Sequence, residues 1–143
     1  MALLRWDEKY RVGQAQIDSE HQYLFELIND FYDAFMEDHD RGRVLGLLNR
    51  LVDYAQRHFT HEEALMREAG FANLDAHLAH HEKLFEQIFE LSTRFQDRAV
   101  NPTHATVQFL RGWLTDHIVH EDRVFGAHLA NLQKKAGSAA ATN

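Results

Sequence analysis

Four stretches of this 143-residue chain repeat apolar side chains at alternating steps of three and four, and each repeat is interrupted by polar residues at places reserved for the core. The first reads Ile17, His21, Leu24, Ile28, Phe31, Phe35. The second reads Val44, Leu48, Leu51, Ala55, His58, Glu62, Leu65, Ala69, and the third Leu74, His77, His81, Leu84, Ile88, Leu91, Phe95. A fourth begins Val107, Leu110, Leu114, His117 and becomes ambiguous downstream. Such steps place a whole stripe on one face of an α-helix, so the pattern predicts four amphipathic helices packed stripe to stripe.

Turn signals divide the chain in the same places. Asp18 or Ser19 is expected to cap the first helix, Asp38-His39-Asp40 to end it, Gly70 and Asn73 to bracket the next turn, and Asn101-Pro102 to supply a cap followed by proline at the first helical position. Short connectors make neighbours antiparallel, giving an all-α, up-down-up-down antiparallel four-helix bundle as one domain over residues 1–132. Residues 1–16 are expected to form a non-helical N-terminal arm, and residues 133–143, without periodicity, a disordered tail.

Composition narrows the function. Without cysteine the chain has no disulfide, thiolate zinc site, iron–sulfur cluster or cysteine nucleophile. With 15 Lys+Arg against 22 Asp+Glu, a net charge of −7, it is not built for nucleic acid. No run is long and apolar enough for a signal peptide or a membrane span, so a cytoplasmic location without membrane insertion is expected; a monomer is expected separately.

The polar residues on the inward stripes carry the functional signal. Several buried polar groups, a carboxylate among them, would cost several kcal/mol per unpaired ion without a compensating partner. Their depth is a second test. His21 lies at the start of the first helix, His58 and Glu62 near the end of the second, His77 and His81 at the start of the third, and His117 near the end of the fourth; in an antiparallel bundle all four places are one end. Convergence of such side chains from four helices is what a metal site inside a bundle requires.

For the fourth helix, spacing from His117 favours Glu121 at i+4. The downstream stripe Ile118, Asp122, Phe125, Leu129, Leu132 favours Asp122 instead, at the cost of a one-residue shift through a kink or π-type bulge. Seven donors exceed the needs of one ion. Two carboxylates bridging two ions, with imidazoles divided three and two and one solvent-derived bridge, leave a single octahedral position open beside the two-imidazole ion. The metalloprotease pattern HExxH is absent, and a ferritin-like oxidase would be dominated by carboxylates rather than histidine.

These motifs resemble the hemerythrin family in its single-domain bacterial form. The resemblance covers residues 4–132 and rests on Trp6 with Val12-Gly13 and Ile17-Asp18-Ser19-Glu20-His21, then His58-Phe59-Thr60-His61-Glu62-Glu63, His77-Leu78-Ala79-His80-His81, and His117-Ile118-Val119-His120-Glu121-Asp122. It implies reversible O2 binding, for storage, transport, delivery or sensing, at a non-haem centre of two iron ions with a bridging oxo or hydroxo group. His77, His81 and His117 would hold one iron, His21 and His58 the other, and Glu62 and Asp122 would bridge; O2, or a small ligand such as azide or nitric oxide, would take the open position beside His21 and His58. A di-iron redox enzyme using the same position is the rival reading.

An O2 site of this kind needs an apolar wall. Leu24, Phe59, Trp113, Leu114 and Ile118 lie one helical step from the ligands and match the family's pocket positions. The remaining histidines are assigned elsewhere: His39, His104 and His128 to solvent, and His61, His80 and His120 to the surface or to support of the ligands. Glu63 is expected to face outward.

Overall fold

The computed structural model describes residues 3–37, 40–97 and 101–141, with side chains through residue 136. A short 3-10 turn, Glu8–Tyr10, lies in the arm. Helix α1 spans Ala15–Glu37, α2 Arg41–Glu68, α3 Leu74–Gln96 and α4 His104–His117. A π-helical turn, Ile118–Asp122, joins α4 to α5, Arg123–Ala141, so α4, the π turn and α5 form one long fourth rod. No strand occurs among the described residues. Helix α1 packs against α2 and α4, and α2 against α3, which is the expected four-helix bundle.

The helix boundaries follow local hydrogen bonding. Asp40 accepts from the Gly42 N–H at 3.0 Å and caps α2, whereas Asp38 and His39 lie outside the described residues. Gly70, at φ +66°, closes α2 in the left-handed conformation that side chains resist, while the Phe71 N–H reaches the Met66 carbonyl at 3.0 Å.

Three local expectations are corrected. Asp18 lies inside α1, which starts at Ala15; its carboxylate instead accepts from the Val12 and Gly13 N–H groups at 2.7 and 3.1 Å, tying the arm down, and the Gln14 side chain accepts from the Ile17 N–H at 2.7 Å. Asn101 caps nothing, because Arg41 engages its side chain and the Phe95 carbonyl; α4 starts after Thr103, whose N–H donates to the Thr106 hydroxyl, leaving Pro102 outside the helix. The backbone from residue 133, expected to be disordered, is helical as far as Ala141: Lys and Ala propagate a helix without packing, and Asn131 to Ala136 are exposed.

The apolar core is split. A larger cluster includes Leu24, Ile28, Phe31, Leu48, Leu51, Leu84, Ile88, Leu110 and Leu114, and a smaller one Val12, Ile17, Met66, Phe71 and Phe125. Along each rod the inward-facing polar residues fall between the two clusters. The polar layer is therefore walled by hydrocarbon above and below.

Candidate metal centre

Each of the four rods contributes to that layer. His21 comes from α1, His58 and Glu62 from α2, His77 and His81 from α3, His117 from the end of α4, and Asp122 from the π turn. All seven are at most 4% exposed. Their donor atoms form two groups, each drawn within 4.8 Å: Glu62, His77, His81, His117 and Asp122, and His21, His58, Glu62 and Asp122. The two carboxylates belong to both.

Each carboxylate is divided between the groups, oxygen by oxygen. Glu62 Oε1 lies 2.8 Å from His77 Nε2 and 3.2 Å from His81 Nε2, while its Oε2 lies 3.2 Å from His58 Nε2 and 3.6 Å from His21 Nε2. Asp122 Oδ1 lies 3.1 Å from His77 Nε2 and 3.0 Å from His117 Nε2, and its Oδ2 lies 2.9 Å from His21 Nε2.

The π turn is what brings Asp122 in. Residues five apart on a regular α-helix stand roughly 140° apart and cannot both face one point. One extra residue in the turn rotates Asp122 onto the inward face, where it is fully buried, and leaves Glu121 half-buried on the outer side. The same shift buries Ile118 and Phe125 on either side of it.

Two carboxylates to which the sequence assigned no such part, Glu20 and Glu63, orient the imidazoles from behind. Glu20 Oε1 lies 2.9 Å from His58 Nδ1, and its Oε2 lies 2.7 Å from His61 Nδ1. Glu63, expected to face outward, turns back to place Oε2 3.0 Å from His81 Nδ1. A carboxylate accepting the Nδ1 proton leaves Nε2 to face the interior with its lone pair, the arrangement that supports imidazole as a metal ligand. The available signal was position: each is a carboxylate adjoining an inward residue, His21 or Glu62, and so borders the interhelical seam.

Charge in this layer is balanced by mutual contact. Burial would push His58 down, but Glu20 and Glu62 outweigh it and hold it up at about 10; for His77 burial is outweighed by Asp122 and Glu62, holding it at about 9. Burial would raise Glu62 and Asp122, yet the surrounding histidines keep both carboxyls well below the usual carboxylate range.

Protons alone do not satisfy the layer. His21 Nε2, His58 Nε2, Glu62 Oε2 and both oxygens of Asp122 are buried and make no hydrogen bond of acceptable direction, despite the short separations. Moreover His81 Nε2 faces His117 Nε2 at 3.3 Å. Buried donor atoms aimed between, rather than at, one another fit cations. Imidazole and carboxylate together suit first-row transition ions.

The five predicted pocket residues are buried, Leu24 and Ile118 completely, and all belong to the larger apolar cluster. Phe59 stacks on the His81 ring at 4.1 Å, and the Trp113 indole N–H donates to the Leu84 carbonyl at 3.0 Å. Open grooves of about 460 Å³ between α3 and α4 and about 310 Å³ between α2 and α3 reach His117 and His81 respectively.

Among the other histidines, His61 and His120 are exposed, and half-buried His80 stacks on the His117 ring at 5.0 Å. His104 is exposed beside Phe35. His128 is half-buried rather than solvated, because its Nε2 bonds the Ala69 carbonyl at the end of α2, 2.9 Å away.

A four-helix bundle enclosing a histidine–carboxylate layer, in which two carboxylates are shared between two donor groups able to hold a metal ion, defines a class of helical protein. Comparison with known proteins identifies it: the family model described as the Hemerythrin HHE cation binding domain matches residues 12–129, and the chain belongs to the hemerythrin family. It is 30% identical over 131 residues to a bacteriohemerythrin of Methylococcus capsulatus, covering 91% of this chain and 99% of the relative. It is 32% identical over 139 residues to a bacteriohemerythrin of Stenotrophomonas maltophilia, covering 94% and 90% respectively. A crystal structure of wild-type hemerythrin, 29% identical, superposes with a TM-score of 0.84 over 90% of this chain and 98% of that one. No helix among the described residues is long and apolar enough to cross a membrane.

Proposed function

We propose that this chain binds O2 reversibly at a pair of iron ions, as a monomer in the cytoplasm. His77, His81 and His117 would hold one ion, His21 and His58 the other, and Glu62 and Asp122 would join them. The observation that carries the reading is the division of each carboxylate between two imidazole groups, one oxygen to each. Iron at this place supplies the electrons that O2 takes up on binding and returns on release. With three imidazoles on one side and two on the other, an ion held by His21 and His58 would have one protein ligand fewer, and a small molecule would bind there.

The chain's own part is support and exclusion. Glu20 and Glu63 hold His58 and His81 in orientation. Leu24, Phe59, Trp113, Leu114 and Ile118 wall one side of the layer with hydrocarbon that would keep water, and the protons it carries, away from bound oxygen.

The test is to load the protein with ferrous iron without oxygen, count the metal, admit air, and then remove oxygen while following the visible spectrum. Two irons per chain and a visible band that appears with air and vanishes on its removal support the reading. A band that decays while added reductant is consumed supports a redox enzyme instead, and a chain that takes up no iron refutes both.

A further inference from the structure

Tyr23 and Tyr54 pack ring against ring where α1 meets α2, with centroids 4.5 Å apart and planes inclined by 57°. They stand one turn from the Glu20–His58 pair: Tyr23 follows Glu20 by three residues and Tyr54 precedes His58 by four, so the two pairs are successive rungs of one interface. Glu20 is near enough that its charge, after burial, helps hold the Tyr54 hydroxyl above its ordinary range. On their outer side both rings line an open pocket of about 260 Å³ with Arg50, Asp53 and Arg57.

Packing alone would be served as well by phenylalanine. Phenols add a chemistry that phenylalanine lacks, since each can give up an electron together with its proton, and two oxidised rings in contact can join. The pocket opens the pair to solvent, which can take up the released protons, and the Glu20–His58 pair one turn away connects it with the layer.

We propose that Tyr23 and Tyr54 are a sacrificial oxidation site for the centre, joined to each other when the iron-loaded protein meets hydrogen peroxide. The inference rests on the iron-binding reading above. Each phenol loses one electron and one proton, the two resulting radicals form a carbon–carbon bond between their ortho carbons, and the ortho hydrogens return to the phenol oxygens. The two electrons and two protons reduce one hydrogen peroxide to two waters, and the chain loses two hydrogens in all.

The experiment treats iron-loaded and iron-free protein with the same hydrogen peroxide and reads dityrosine fluorescence and the mass of the intact chain, with iron content and the oxygen-reversible band measured on the same sample. Expected are dityrosine and the loss of two hydrogens within single chains of the loaded protein only, abolished in Tyr23→Phe and in Tyr54→Phe and retained in Tyr32→Phe. Equal yields without iron, fluorescence surviving Tyr54→Phe, or cross-links only between chains overturn the proposal. A protein that binds two irons and shows the reversible band but forms no dityrosine refutes this proposal and leaves the O2-binding reading standing; one that takes up no iron refutes both.

Discussion

Glu20 holds His58 from behind, with Oε1 2.9 Å from Nδ1, while its second oxygen reaches the exposed His61. The contact matters because His58 is one of only two imidazoles on its side of the layer. Removing an outer carboxylate of this kind typically lowers metal affinity about 10–100-fold. Glu20→Gln is therefore expected to weaken iron binding by that order in a chelator competition with helix content unchanged; undiminished affinity would show that Glu20 has no such role.

Hydrocarbon around the layer is expected to protect bound oxygen. Phe59 stacks on the His81 ring where both border the groove along α2 and α3, and Leu114 is 2% exposed in the same apolar cluster. Phe59→Ala and Leu114→Ala each open space in a core, at a cost of about 2–5 kcal/mol in stability. Both should speed the loss of the oxygenated absorption band by admitting water. Decay at the wild-type rate in a protein shown to be destabilised would separate packing from protection.

The π turn makes a sharp prediction about chain length. Deleting Val119, half-buried inside the turn, should convert it to regular α-helix and leave Asp122 four residues past His117 instead of five, about 40° around the rod and still inward. Far-ultraviolet circular dichroism should stay helical and both irons should be retained, whereas Asp122→Ala with Val119 in place should lower metal stoichiometry. Loss of iron on the deletion would show that the turn does more than correct the register, and retention of both irons in Asp122→Ala would mean that Asp122 is not required.

Gly126 lies where the arm crosses the fourth rod. A Cβ added there would run into the Val12 carbonyl and stand 3.2 Å from Val12 Cγ1, in the stretch that Asp18 ties down. Helix propensity alone favours alanine over glycine by about 1 kcal/mol, whereas overpacking costs about 1–3 kcal/mol, so the sign of the change decides which effect wins. We expect Gly126→Ala to lower the thermal midpoint; a higher midpoint would show that the arm yields.

The metal-free protein should lose stability toward alkaline pH. His58 and His77 keep their protons up to about 10 and about 9 in the folded chain, against about 6.5 when unfolded. The stabilisation they contribute is fully present below the unfolded value and is lost as pH rises through the folded ones. Glu62 and Asp122, both lowered, contribute above the ordinary carboxylate range and lose that contribution in acid. Thermal midpoints of the metal-free form should thus fall from neutral to alkaline pH, and less steeply once cations replace the protons. A flat alkaline limb without metal would contradict this.

Much of the architecture was legible because it is periodic. Apolar spacing marks the inward face of each helix, and a histidine or glutamate on that face is conspicuous since burial penalises it; His21, His58, Glu62, His77, His81 and His117 were all found in this way. Asp122 was reached through the shifted stripe beyond His117. Less legible were groups whose role depends on a neighbour on another helix. Glu20 and Glu63 look like ordinary outer carboxylates until α1 meets α2 and α2 meets α3. Asp18 has the chemistry of a helix cap and is used to hold the arm instead.

What the sequence by itself determined, then, is the number of rods, their inward faces and the end at which polar side chains gather, because these follow from residue spacing along a helix of fixed pitch. Tertiary structure alone decided which oxygen faces which imidazole, which outer carboxylates reach back to steady them, and which two tyrosine rings meet. Those relations depend on the azimuth and depth at which separate helices dock, and these are settled by side-chain packing across the seams rather than by any local repeat.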